Sequence, residues 1–239
     1  MKFTIVGGGN MGGSIAKGLV SGTICKPEDI QVIDINEAVL IELKKELPGI
    51  KVNVSNYDDV AKSDIVILAV KPWLVEDVII DIKFKLNYEK QILVSIAAGV
   101  SIEKIEKLLM KMSDQYSLPP LFRVIPNTAI SVGESMTLIA TNNATDAQKE
   151  LILKMFRTMG EVYLMNEMNL SASTALTSCG IAFFFRFVRA AMLAGTELGI
   201  PPKDAQKMLA YTMKGAADLL LKTGVNPEDE IDKVTTPGG

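Results

Sequence analysis

Short, largely apolar runs alternate with stretches of helical spacing over the first two thirds of the chain. The runs fall at residues 3–6, 30–35, 52–54, 65–70, 91–96, 122–125 and 136–140. A run without polar alternation predicts a strand covered on both faces, as in a parallel sheet with crossover helices. Helical spacing occurs at 14–19, 37–47 and 102–112, briefly at 57–62, and again just before residue 91. Right-handed crossovers between such strands give an α/β fold with a doubly wound, Rossmann-type parallel sheet.

After about Leu164 the pattern is almost entirely helical. Residues 167–198 read as one long helix or two broken ones. They are apolar nearly all round, which predicts burial on most sides. Pro201 and Pro202 signal a helix start, and Gly224 a stop. The organisation expected is a dinucleotide-binding Rossmann domain at 1–164 followed by an all-helical dimerisation and substrate domain at 165–239. An all-round apolar helix in so short a tail needs a partner subunit to cover it. A homodimer or higher homo-oligomer follows.

Composition narrows the chemistry. The formal net charge is −3 over 239 residues, and the cations are scattered, so neither nucleic acid nor an anionic membrane is expected as a partner. Cys25 and Cys179 are the only cysteines and there is no histidine. That excludes Ser-His-Asp catalysis and His-ligated metal sites, and no metal is expected. The N-terminus lacks the pattern of a signal peptide. The apolar stretch 181–195 is interrupted by Arg186 and Arg189 and reads as too short and too charged to span a bilayer. A cytoplasmic protein is expected.

Gly7-Gly8-Gly9-Asn10-Met11-Gly12 is a G-x-G-x-x-G that follows a strand and opens a helix. Gly7 permits the tight turn, Gly9 leaves room for a pyrophosphate, and Gly12 lets helix and strand pack closely. Asp34 ends the second strand and is placed to accept hydrogen bonds from ribose hydroxyls. Ile35 follows, where an Arg would favour a 2′-phosphate, so NADH is expected over NADPH. Ala69-Val70-Lys71-Pro72 and Ser95-Ile96-Ala97-Ala98-Gly99 end later strands, on the edge where open α/β sheets bind ligands.

Together these residues resemble the pyrroline-5-carboxylate reductase family. The likeness runs through the glycine turn with Asn10-Met11, Ser55-Asn56, Ala69-Val70-Lys71-Pro72, the Ser95 to Gly99 run and Arg123-Val124-Ile125-Pro126-Asn127-Thr128. It reaches Val234-Thr235-Thr236-Pro237-Gly238-Gly239 at the end. The resemblance implies NAD(P)H-dependent reduction of 1-pyrroline-5-carboxylate to L-proline, with a small-molecule substrate held between subunits. It implies cofactor contacts at Gly7, Gly9, Asn10, Met11, Gly12, Asp34, Asn56, Ala69, Val70, Lys71, Pro72, Ile96, Ala97, Ala98 and Asn127. It implies substrate contacts at Thr177, Ser178, Cys179, Gly180, Thr235, Thr236, Gly238 and Gly239, and it assigns no catalytic side chain.

Two departures stand out. Thr177-Ser178-Cys179-Gly180-Ile181-Ala182 replaces a Ser-Gly-Ser-Gly-Pro-Ala run of the family. The family pattern also continues past Gly239 with a substrate-touching Thr and a further helix, so either a C-terminally trimmed chain or a naturally short protein is expected. Two other readings stay open: a reductase of a different cyclic imine or keto acid, and a cofactor-binding regulatory relative without turnover.

Overall fold

The computed structural model describes residues 1–110 and 117–238. Within them the strands are β1 (Phe3–Val6), β2 (Ile30–Asp34), β3 (Lys51–Val54), β4 (Ile65–Leu68), β5 (Ile92–Ser95), β6 (Leu121–Ile125), β7 (Ser135–Asn142) and β8 (Gly160–Leu164). They form one eight-stranded sheet in the order β3-β2-β1-β4-β5-β6-β7-β8. The strands β1 to β6 pair in parallel. The order turns back between β1 and β4, the position where doubly wound sheets bind nucleotides.

The sheet is not parallel throughout, as the apolar runs had predicted. β7 lies antiparallel to β6, and β8 pairs parallel to β7. The connection from β6 to β7 is a 3₁₀ turn, Thr128–Val132, closed by Gly133 at φ 75°. A parallel return needs a crossover of a dozen residues or more, and so short a link permits only a reversal. A buried strand looks the same in sequence whichever way it runs.

Helices cover both faces. α1 (Asn10–Ser21), α2 (Glu37–Glu46) and α5 (Asp146–Arg157) lie on one side, α3 (Val75–Ile82) and α4 (Ile102–Leu109) on the other. Residues 111–112 of the helix expected at 102–112 lie outside the described residues. Alternate strand positions feed the two cores. Ile5, Val32, Ile67 and Val94 meet Ile15, Leu19, Leu40 and Phe156. Val6, Ile33, Leu68 and Leu93 meet Val78, Ile79, Ile82 and Ile105. Each such side chain contributes about 1.5–3 kcal/mol by leaving water. The segment expected as a brief helix at 57–62 is a 3₁₀ turn, Val60–Lys62.

The chain divides into two compact units, Met1–Cys179 and Gly180–Gly239. The first ends with α6 (Glu167–Thr174) and a π-helical turn, Ala175–Cys179. The second contains α7 (Gly180–Glu197), α8 (Pro202–Thr223) and α9 (Pro227–Val234). Pro202 opens α8, and Gly224 closes it in the left-handed conformation at φ 67°. Among the described residues of the second unit only Gly180 and Ala205 are buried. The expected burial of residues 167–198 is therefore not met within the chain: Phe183, Phe184, Phe185 and Phe187 are all exposed.

The expected shortness of this apolar segment is corrected too. The π-helical turn does not break the helix, so Glu167–Glu197 is one helical run of 31 residues, and an 18-residue window within it has a mean hydropathy of 1.5. By length and composition alone it is long and apolar enough to cross a membrane.

Candidate functional site

The glycine turn is built from three glycines needed for three reasons. Gly7 sits at φ +103°, and a Cβ there would lie 2.5 Å from the Ala69 carbonyl oxygen. Its N–H donates to the Ile33 carbonyl at 2.7 Å. A Cβ on Gly12 would come within 1.9 Å of the Gly7 oxygen, so helix and turn touch backbone to backbone. A Cβ on Gly9 would meet nothing within 4 Å. It would project into open space instead, where a ligand can approach the main chain.

Gly9 is also the N-cap of α1, which has no side-chain cap and no acidic residue in its first turn. Three of the other covering helices are capped, and α3, which is not, carries Glu76 and Asp77 in its first turn. Asn36, Ser101 and Thr145 cap α2, α4 and α5 with their side chains, and Glu37, Glu103 and Asp146 occupy the first turns. The start of α1 thus keeps free N–H groups and an uncompensated partial positive charge, which suits an anion.

This turn opens onto a cavity of about 650 Å³ at the carboxyl ends of β1, β2, β4 and β5. Of the residues expected to contact cofactor, Gly7, Gly9, Asn10, Met11, Asp34, Ala69, Val70, Lys71, Pro72, Ile96, Ala97 and Ala98 line it. Gly12 lies beneath, against Gly7. Asp34 has a structural task beside any ligand role: its Oδ2 accepts from Gly8 N–H at 2.7 Å and its Oδ1 from Asn36 N–H at 2.8 Å. The carboxylate holds the glycine turn and the start of α2 together. Each oxygen still has a lone pair for a hydroxyl donor. The glycine cradle, the uncapped helix and the carboxylate at the strand end fit a dinucleotide.

Two expected contacts lie elsewhere. Asn56 is exposed, with its Oδ1 accepting from Asp58 N–H at 2.8 Å, and it does not line the cavity. Its neighbours Ser55 and Tyr57 do. Ser55 has φ +50°, a kink that turns the chain after β3. Asn127 also stands outside the cavity lining. It is buried, and its polar groups are all used within the protein. Its N–H donates to Ser135 Oγ at 3.1 Å, its Oδ1 accepts from Ala129 N–H at 3.0 Å, and its Nδ2 donates to the Thr177 carbonyl at 3.4 Å.

Sequence reading missed the acidic wall. Asp77 and Asp81, one helical turn apart on α3, line the cavity with Asp34, and Lys71 is the only cation among the lining residues. Burial, then Asp81 and Asp34, hold the Tyr57 phenol above its ordinary pKa. The helical spacing of Asp77 and Asp81 was visible in the sequence, but the facing strand end was not.

The expected substrate residues divide between the units. Thr177, Ser178 and Cys179 form part of the π-helical turn, a device often found at functional sites. The Thr177 hydroxyl donates to the Ser173 carbonyl at 3.2 Å, and the Ser178 hydroxyl to the Pro126 carbonyl at 3.3 Å. Cys179 is a free, exposed thiol. In the second unit Gly180 is buried, while Thr235, Thr236 and Gly238 are exposed after α9. The Thr235 hydroxyl donates to the Ile231 carbonyl at 2.9 Å. Gly239 lies outside the described residues.

Comparison with known proteins covers both units. Residues 167–239 match the family described as pyrroline-5-carboxylate reductase dimerisation, and residues 2–99 match the family described as NADP oxidoreductase, coenzyme F420-dependent. The chain is 40% identical to pyrroline-5-carboxylate reductase 1 of Dictyostelium discoideum over 98% of its own length, spanning 43% of that longer relative. It is 37% identical to pyrroline-5-carboxylate reductase 2 of the same organism, over 100% of this chain and 82% of the relative. A solved pyrroline-5-carboxylate reductase from Coxiella burnetii superposes with a TM-score of 0.86 at 30% identity, covering 100% of this chain and 86% of the other.

Proposed function

The chain belongs to the pyrroline-5-carboxylate reductase family, and from that premise we propose that it reduces 1-pyrroline-5-carboxylate to L-proline with NAD(P)H. The observation that carries the reading is the glycine turn at an uncapped helix start, opening onto a cavity large enough for a cofactor. NAD(P)H, when bound, supplies a hydride for the imine carbon. The main chain of Gly7, Gly9, Asn10, Met11 and Gly12 holds the pyrophosphate. Asp34 would accept from the ribose, and Ala69 to Pro72 with Ile96 to Ala98 would line the rest of the cofactor's cavity.

No catalytic side chain is assigned. A cyclic imine becomes strongly electrophilic on protonation, solvent can supply that proton, and the protein's work is then mostly positioning. The Thr177 and Ser178 hydroxyl protons are committed to carbonyls. The main-chain N–H groups there lie inside a continuous helical run. In this reading Thr177, Ser178, Cys179 and Gly180 border the substrate, with Thr235, Thr236, Gly238 and Gly239 as candidates for donating to its carboxylate.

NADH is the preferred cofactor in this reading. Asp34, Asp77 and Asp81 share the cavity, and carboxylates there repel a 2′-phosphate. Ile35 stands exposed where an Arg would accept one. The reading keeps residues 1–164 as the dinucleotide-binding part and 165–239 as the part for substrate and dimerisation. The exposed phenylalanines of α7 and the dimerisation match support a homodimer or larger homo-oligomer over a membrane span for this helix. A cytoplasmic location accords with two unpaired cysteines.

Adding pyrroline-5-carboxylate to the protein and NADH should deplete the reduced-nicotinamide absorbance and yield proline, faster than with NADPH. Tight NADH binding without turnover of this or any other cyclic imine overturns the reading in favour of a regulatory relative.

A further inference from the structure

A π-helical turn widens the helix by one residue, shifts its hydrogen bonds from i→i+4 to i→i+5 and displaces carbonyls from their usual partners. At Ala175–Cys179 the turn following β6 reaches over to meet this defect. Asn127 Nδ2 donates to the Thr177 carbonyl at 3.4 Å, and the Pro126 carbonyl receives the Ser178 hydroxyl at 3.3 Å. The two bonds run in opposite directions between the same two segments. Both are long, and neither would hold the turn alone.

Asn127 itself is rigid. It is 8% exposed and its Oδ1 and N–H are anchored to Ala129 and Ser135. A second tie lies at the other end of α6. Glu167 Oε1 accepts from Arg123 of β6 at 2.8 Å and from Ile102 N–H at 2.8 Å. β6 thus meets the helix at its first residue through Arg123, and the turn that follows β6 meets it again at the π-helical turn. β6 pairs in parallel with β5, so its end shares the sheet edge at which Ile96, Ala97 and Ala98 line the cavity.

We propose that Asn127 is a positioning residue, not a cofactor ligand: its amide holds the π-helical turn at the carboxyl end of β6 and so fixes the substrate-side segment relative to the cofactor cavity. The inference rests on the reading that residues 177–180 border the substrate. Asn127→Asp tests it, because the carboxylate keeps the acceptor for Ala129 and loses the donor to Thr177. Losing one such bond should speed hydrogen exchange of the amides of residues 175–180 by about tenfold. KM for the imine should rise by a similar factor. kcat, and NADH affinity measured by fluorescence without substrate, should stay within about twofold.

Ser178→Ala removes the reciprocal bond without touching a buried residue, and serves if the first variant fails to fold. It should speed exchange of the same amides. Unchanged exchange in either folded variant overturns the proposal. Weakened NADH binding with exchange unchanged overturns it as well, and makes Asn127 a cofactor ligand. A wild-type chain that turns over no imine sinks the reductase reading alone, since exchange still judges the tie.

Discussion

The unit Met1–Cys179 and the unit Gly180–Gly239 treat the same residue type in opposite ways. Phe3, Phe122 and Phe156 of the first are 0% exposed, with Phe84 the exception at 69%, whereas Phe183, Phe184, Phe185 and Phe187 of the second are all 59–69% exposed. In the first unit a sheet with helices on both faces covers the central strands β1, β4, β5 and β6 completely. In the second, α7 and α8 pack mainly on each other, and two helices cannot enclose an apolar surface that runs round both. The contrast teaches that apolar content states how much surface must be covered, and only topology states by what. The first unit covers its own core; the second leaves an apolar face that, in the proposed reading, another copy of the chain covers.

The largest expected effect tests the first unit's backbone. Gly12→Val puts a side chain where a Cβ already lies 1.9 Å from the Gly7 oxygen. It should cost ~3 kcal/mol or more in chemical denaturation and remove NADH binding altogether. Retained binding would show that the turn is not closed against the helix.

A matched pair sharpens the comparison. Phe122→Ala should cost about 3–5 kcal/mol, the usual range for a buried aromatic. Phe187→Ala should change the unfolding free energy of the isolated chain by no more than ~0.5 kcal/mol, as surface substitutions do. It should nevertheless move sedimentation towards the monomer. Equal losses of stability in the two variants would break the contrast.

A further effect, well below that of Phe122→Ala, is an alkaline one. Burial pushes the Tyr88 phenol up to about 12 from an ordinary 10.0, while its hydroxyl donates to the Leu109 carbonyl at 2.7 Å. The folded state therefore keeps a proton that the unfolded chain gives up. The stabilisation is whole below pH 10 and is lost as pH rises towards about 12. Tyr88→Phe should cost ~1 kcal/mol at neutral pH through the lost bond and flatten that alkaline decline.

Much of the first unit was legible because local and global signals agreed there. The runs at 3–6, 30–35 and 65–70 became β1, β2 and β4, and the glycine turn landed on the cavity. β8 escaped because it is an edge strand whose only buried residue is Val162, so no apolar run marks it. α9 carried its signals openly, with Asn226 as cap, Pro227 in the first turn and three acids behind, but they lay beyond the stop read at Gly224. The site was half legible. Residue type pointed to Asp34 and Lys71, which line the cavity, whereas Asn127 stands outside its lining, because a motif gives a residue's presence and not its direction. The π-helical turn leaves no mark in spacing at all, since one added residue in a helix shifts the period by less than the pattern can resolve.

The contact between Gly7 and Ala69, too close for a methyl group, has a thermodynamic consequence. Main chain wedged against main chain in the middle of a sheet cannot rearrange when a guest arrives. Most of the ordering was completed during folding, so a dinucleotide should meet a ready-made receptor. Its calorimetric heat-capacity change should then match the contact surface alone, with none of the excess that accompanies a segment folding around its ligand.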